Sequence, residues 1–264
     1  MKKILSLVLA LTMLVGAMLS LGSCFVGGDK LVCGVTIFEK MNEQDDDGNW
    51  TGFESEFAIE VGKILGMKVE FQEIIWENKY EELNSGAIDC IWNGFTANSS
   101  DNGIKRSELV DFSYGYMLNQ QCVVVKTADL ANYTSEADLA GKTACVEGGS
   151  AGQAYAEGVT EEEITKATSQ INAFTELKSG AVDFIVVDIV LANNLCGKGD
   201  FANLSIVEDI ELDSEIYAIG FKKGSELTEK VNAAIKELEE NGKLLEIATK
   251  YGFENVLQIT EEIE

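Results

Sequence analysis

The chain has 264 residues, 46% of them apolar and 25% charged, with a formal net charge of −25. That supplies enough apolar material for one large core or two modest ones, and it is too acidic to take nucleic acid or an anionic lipid surface as partner at ordinary ionic strength. Histidine is absent, which excludes a Ser-His-Asp triad, a Cys-His pair and any histidine metal ligand.

Met1-Lys2-Lys3 gives a positive start, Ile4 to Leu21 is a nearly unbroken apolar run, and Leu21-Gly22-Ser23-Cys24 follows. This order predicts a secretory signal over 1–23. A permanent membrane helix is the rival, because the run is just long enough to span a bilayer. The cysteine separates the two readings. Leu-Gly-Ser-Cys resembles the bacterial lipobox, which implies cleavage before Cys24, lipid on its thiol, and a lipidated tether over 24–30. Cys33, Cys90, Cys122 and Cys145 lie in strand-like apolar runs, and Cys196 completes an odd set of five. Buried free thiols acting as small hydrophobes are expected, and a disulfide framework is not.

Leu31 to Thr36 predicts the first strand. Glu43, Asp45, Asp47, Gly48 and Glu54 approach a calcium-loop spacing. The first position is Glu and no helix precedes it, so Asp47-Gly48 reads more simply as a hairpin turn. Phe57, Val61, Ile64 and Leu65 make one helix face, closed by Gly66. Lys68 to Phe71 is a second strand. Glu82-Leu83-Asn84-Ser85-Gly86-Ala87-Ile88-Asp89 is then echoed by Glu176-Leu177-Lys178-Ser179-Gly180-Ala181-Val182-Asp183. Each copy predicts a helix stopped by glycine and a short strand, Cys90 to Trp92 or Phe184 to Val187, ending on Asn93 or Asp188. Cys122 to Val125 and Thr143 to Val146 are further strands. Val231, Ile235 and Leu238, then Leu245, Ala248 and Tyr251, mark closing helices. Alternating strands and helices predict parallel sheets with helical cover. One α/β unit used twice makes a cleft, and ligands in such folds bind beyond the carboxyl ends of the strands. The alternative is a chance echo, with Asn93 and Asp188 in ordinary loops.

Lysine and arginine total 20, yet Arg106 is the only arginine. Its planar fork fits a carboxylate in a way lysine does not; a surface arginine in a Ser/Asp/Asn-rich loop is the plainer alternative. Asp188 offers the complementary charge, or else a helix cap. A fixed cation facing a fixed anion matches a zwitterion, of which an α-amino acid is the commonest. Glu147-Gly148-Gly149-Ser150-Ala151-Gly152 reads as a turn whose backbone N–H groups could meet an anion. It lacks a P-loop lysine. Phe38, Trp76, Trp92 and Tyr114 are candidates to cover an aliphatic part, or ordinary core residues. Glu39, Glu77 and Glu147 hint at a cationic or amide-bearing solute. No metal or cofactor is called for.

Gly52-Phe53-Glu54-Ser55-Glu56-Phe57-Ala58, then Trp92-Asn93-Gly94-Phe95-Thr96 with Arg106 and Val110-Asp111-Phe112-Ser113, then Gly149-Ser150-Ala151 and Val187-Asp188, resemble in order the segments of family 3 bacterial extracellular solute-binding proteins, which serve polar amino-acid ABC importers. Val231 to Tyr251 resembles the closing helices of that family. The resemblance implies a type II, two-lobed periplasmic-binding-protein-like α/β fold, each lobe a sheet flanked by helices. Lobe 1 would be 31–121 with 215–264 and lobe 2 would be 122–214, joined by a two-crossing hinge near Gln121 to Val123 and Ser214 to Tyr217.

The resemblance also implies site roles. Arg106 takes the α-carboxylate with Thr96, Asn93 and Gly94, and Ser150 and the Ala151 N–H touch it from lobe 2. Asp188 takes the α-amino group. Phe38 packs over the side chain; Trp76 and Glu39 join the expected site on their own chemistry, as an aromatic and an acidic neighbour of the crevice. A monomer anchored to the membrane only by lipid, delivering its amino acid to an ABC permease, is the expected assembly. A dehydratase-like enzyme using Glu39, Glu77 or Glu147 and a non-transport surface lipoprotein are the alternatives. The chain departs from the family pattern where Lys40, Ala97 or Asn98, and Gly115 stand in place of proline, in extra residues between Thr96 and Arg106, and in Ala151, which replaces a hydroxyl residue.

Overall fold

The computed structural model describes residues 29–263. The signal segment, Cys24 and most of the tether fall outside them. In chain order the elements are β1 (Lys30–Val35), a hairpin of β2 (Glu43–Gln44) and β3 (Trp50–Thr51), α1 (Phe53–Leu65), β4 (Lys68–Glu73), α2 (Lys79–Ser85) and β5 (Cys90–Ile91). A second hairpin, β6 (Ser100–Asp101) and β7 (Ile104–Lys105), leads into α3 (Arg106–Leu109), β8 (Asp111–Phe112) and the long β9 (Gly115–Lys126). Then come β10 (Ala144–Glu147), α4 (Ala151–Val159), β11 (Thr165–Ala167), α5 (Gln170–Ser179), β12 (Phe184–Asp188), α6 (Ile189–Leu195) and β13 (Leu204–Ile206). The chain returns through β14 (Ser214–Tyr217), β15 (Gly220–Phe221), α7 (Leu227–Glu240), α8 (Lys243–Tyr251) and β16 (Leu257–Thr260).

Two sheets result, ordered β4-β1-β5-β15-β8 and β11-β10-β12-β9-β13. In each, the first three strands are parallel, as the alternating pattern predicts. The fourth strand of each is antiparallel, which the prediction of purely parallel sheets misses. The reason is connectivity. β9 and β15 enter from the crossings between the sheets and not from a βα unit, so no right-handed crossover constrains their direction.

The sequence echo is reproduced bond for bond. Gly86 and Gly180 both sit in the left-handed region as C-caps, with N–H donated to Glu82 and Leu83 or to Glu176 and Leu177. Ser85 and Ser179 each donate a hydroxyl to the carbonyl three residues back. Asp89 accepts the Val32 N–H, and Asp183 accepts the Thr143 N–H, both at 2.8 Å. Each aspartate therefore fastens its own strand to the neighbouring parallel strand. The shared residues are those that end a helix and set the register of the next strand.

The predicted apolar faces are buried or half-buried except at Leu245, which is 51% exposed; α8 turns Leu244, Ile247 and Ala248 inward instead. Phe57 and Val61 of α1 pack with Trp92, Tyr116, Val231, Ile235 and Leu238. Phe57 meets Trp92 edge-on at 5.0 Å. Truncating such a ring to alanine costs about 3–5 kcal/mol. The acidic 43–54 segment forms the β2–β3 hairpin. Asp45 accepts from the backbone of Asp47 and Asn49, while Glu54 turns inward. Cys33, Cys90, Cys122 and Cys145 are buried free thiols and Cys196 is half-buried. Among the described residues, no helix is long and apolar enough to cross a membrane.

Candidate functional site

The carboxyl ends of β1 and β5 in the first sheet face those of β10 and β12 in the second. Trp76, Asn93, Gly94, Thr96 and Arg106 come from the first side and Glu147, Ser150, Ala151, Gln170 and Asp188 from the second, with Gln121 of β9 between them. The space left is about 10 Å³, room for about one water molecule. A whole amino acid therefore enters only with the two sides apart. Polar contacts already span them, and two meet at one atom: Lys79 Nζ and Arg106 Nη2 both donate to the Gly149 carbonyl, at 2.8 and 3.2 Å. Gly149 has a φ of 74°, and a Cβ there would lie 3.1 Å from Glu77 Cα and from Lys79 Nζ. Glycine is what lets this loop approach so closely.

Arg106 is 1% exposed and bonded chiefly within its own side of the cleft. Its Nε and Nη2 donate to Asp101 Oδ1 at 3.1 and 2.9 Å, and Nη1 donates to the Thr96 carbonyl at 3.1 Å. The extra residues between Thr96 and Arg106 explain this. They form the β6–β7 hairpin, turned at Asn102 and Gly103 with positive φ of 52° and 78°, the backbone of a two-residue type I′ turn. The hairpin brings Asp101 onto the guanidinium and beside Lys79, whose Nζ is 3.7 Å away. Burial pushes the Asp101 carboxyl up, but the Arg106 and Lys79 charges outweigh it and hold it below the usual range. Lys79 is itself only 1% exposed, with its ammonium over the rings of Trp76 and Tyr80. Burial and the Arg106 charge pull it down to about 8. Neither Asp101 nor Lys79 stands among the site residues expected from the sequence.

Asn93 and Gly94 are at the cavity, but their polar groups point elsewhere. The Asn93 amide donates to the Thr36 carbonyl and to Asn42, and its oxygen accepts from the Thr36 hydroxyl at 2.6 Å. The Gly94 N–H donates to Glu54 at 2.8 Å, and Tyr116 donates to the same oxygen. Glu54 is fully buried, and burial raises it to about 7. Gly94 has a φ of 57°, with Phe38 and Tyr217 packed where a side chain would begin. Phe38 thus supports the loop from behind, and neither it nor Glu39 lines the cavity. Lys40, in a position where the family pattern has proline, has a φ of 63°, which a proline ring forbids. Its ammonium reaches Asn194 across the cleft at 2.8 Å. Trp76 lines the cavity and meets Phe95 edge-on at 5.5 Å.

On the opposite side Ser150 caps α4, accepting from the Gln153 N–H, and the N–H of Ala151 begins the helix without an intrahelical partner. Asp188 precedes α6 but its side chain makes no cap bond. It accepts from Asn119 at 2.7 Å, from Gln121 at 2.6 Å and from Gln170. Asn119 and Gln121 also donate to Glu215 of β14, at 2.7 and 3.0 Å, and Thr96 donates to the same oxygen. Burial raises the Asp188 and Glu215 carboxyls together, with the charge of Asp188 adding to the rise at Glu215. Glu147 is raised to about 8 by burial and then by Asp188.

Two sheets hinged by crossing strands, with a buried cation and a buried carboxylate facing one cavity, define a cleft receptor for a small solute. The family model for bacterial extracellular solute-binding proteins, family 3, matches residues 31–255, and the chain belongs to that family. It is 28% identical over 228 residues to the arginine-binding extracellular protein ArtP of Bacillus subtilis, covering 85% of this chain and 87% of that one. Among solved structures, an ancestral arginine-binding protein bound to arginine is 31% identical with a TM-score of 0.75, over 84% of this chain and 97% of that one. A substrate-binding protein of an ABC uptake transporter from Streptococcus pneumoniae with bound histidine is also 31% identical, with a TM-score of 0.76, over 87% and 94%.

Proposed function

We propose that this chain is the extracytoplasmic substrate-binding component of an amino-acid ABC importer, tethered by lipid on Cys24 and working as a monomer that hands its ligand to the permease. The observation that carries the reading is the meeting of Arg106 and Asp188, both buried, from opposite sheets at one cavity. Arg106 takes the α-carboxylate with the Ala151 N–H and Ser150, and Asp188 takes the α-amino group. Trp76, Thr96, Asn93 and Gly94 form the wall against which the ligand lies.

Capture involves no bond making. The ligand docks with the lobes apart, and hinge closure follows. Support for the lobe limits 31–121 with 215–264 and 122–214 comes from β9 and β14, which run antiparallel through Met117–Gln120 and Ser214–Tyr217 between the two sheets. The test is thermal denaturation of the mature protein with each of the twenty amino acids, because a ligand that binds only the folded form raises the melting temperature with concentration. A concentration-dependent rise for at least one amino acid, recovered unchanged after binding, is expected. No rise with any of them defeats the reading, and a chemically altered ligand moves the chain to the dehydratase-like alternative.

A further inference from the structure

The wall that carries Asp188 holds a second buried carboxyl, which a zwitterion leaves unmet. Glu147 ends β10 beside β12, which carries Asp188, and both line the cavity. Glu147 is only 4% exposed, and its Oε1 is buried with no hydrogen-bond partner. A buried acceptor left unmade costs about 1–3 kcal/mol, more when charged, so an orphan at a cleft wall marks where a donor is due. Lys79 does not meet the need, because its ammonium is committed to the Gly149 carbonyl and lies beside Asp101. Arg106 is held by Asp101, Thr96 and Gly149.

An α-amino acid brings one carboxylate and one ammonium. In the proposed pose these meet Arg106 and Asp188, and Glu147 is left over. Lys79 and Gln170 favour its charged form, but burial and Asp188 outweigh them. A recess of about 500 Å³ adjoins the cavity at Gln121 and Ala151, and it is lined by Glu136, Glu211, Asp213 and Glu215 with no lysine or arginine. Field lines from these carboxylates add to a negative potential over the second wall.

We propose that Glu147 reads the ligand's side chain, accepting from a cationic group through its unpartnered oxygen, so that the cleft selects α-amino acids whose side chain ends in a guanidinium or ammonium. The proposal rests on the amino-acid reading above and sharpens it. Charge-assisted bonds of this kind contribute about 1.5–3 kcal/mol, so the preference for a cation over its neutral isostere is about 10- to 100-fold.

Calorimetry with L-arginine against L-citrulline, which share a shape and differ in charge, measures that preference directly, and L-lysine against L-glutamine widens the panel. The wild-type protein is expected to favour the cation of each pair by about tenfold or more, and Glu147→Gln, which keeps size and one acceptor, is expected to bring the arginine-to-citrulline ratio to within about threefold. Wild-type protein that binds citrulline or glutamine as tightly as arginine and lysine overturns the proposal and leaves the amino-acid reading standing. A Glu147→Gln variant with the preference intact does the same. If no amino acid binds the wild-type protein in the thermal screen, the amino-acid reading itself has failed.

Discussion

The two walls of the cleft are built on opposite plans. The first wall is cationic and satisfied within itself: Arg106 donates to Asp101 and Thr96, and Asn93 is tied to Thr36 and Asn42. The second wall is acidic and in part unsatisfied: Glu147 carries an orphaned oxygen, and burial raises both Glu147 and Asp188. A satisfied wall is rigid before the ligand arrives, which lowers the ordering cost of binding. An unsatisfied wall is costly to close on nothing. On the proposed reading the difference implies an order of events: docking on the first wall, then closure driven by the charges the ligand brings to the second.

The largest test of this contrast is Asp188→Asn. Removing a buried carboxylate that the ligand's ammonium needs is expected to weaken amino-acid binding by about 3 kcal/mol, on the order of 100-fold by calorimetry. The same change is expected to cost the ligand-free protein little, because removing a desolvated charge offsets the one accepted bond that an amide nitrogen cannot replace. A parallel loss of ligand-free stability of several kcal/mol would show that Asp188 is structural.

The reverse is expected on the first wall. Asp101→Asn leaves Lys79 and Arg106 without their shared counter-charge. After allowance for the 14% side-chain exposure of Asp101, unfolding in urea is expected to show a loss of about 2 kcal/mol. An unchanged midpoint would mean that the hairpin carboxylate contributes nothing to holding the arginine.

The last expected effect is on pH. The Glu54 and Glu147 carboxyls are raised from 4.5 to about 7 and about 8, so the folded chain holds protons that the unfolded chain releases. Their stabilisation is complete below about pH 4.5 and is lost as the pH rises through about 7 and 8. The ligand-free melting temperature should fall by several degrees between about pH 5 and pH 8. A flat or rising profile over that range would show that neither carboxyl is held protonated in the folded chain.

The contrast also marks what the sequence showed and what it hid. Helix stops, strand runs and the Ser-Gly-Ala echo were legible because glycine caps and apolar periodicity are local properties. Asp188 was legible because it ends a recognisable strand and Arg106 because it is the only arginine; Trp76 stood out as an aromatic near the strand ends, and the family resemblance supplied Thr96, Ser150 and Ala151, all of which line the one cavity. Asp101 was missed although Asp101-Asn102-Gly103 carries a hairpin signal, since nothing local says that the turn folds back onto Arg106. Lys79 and Glu215 were hidden for a related reason. A buried lysine in an amphipathic stretch, or a glutamate alternating with Ile216 and Tyr217 on a crossing strand, looks like any solvated charge until the tertiary fold desolvates it. The orientation of Asn93 and Gly94 into their own lobe depends on Asn42 and Glu54, partners far away in sequence.

The central claim is that one arginine and one aspartate on opposite walls hold an amino acid. Calorimetry of Arg106→Ala with the amino acid that most stabilises the wild-type protein tests it most directly. The account predicts a loss of at least about 100-fold in affinity, with Arg106→Lys restoring only part because an ammonium lacks the planar fork. An Arg106→Ala protein that keeps wild-type affinity to within about twofold would contradict it.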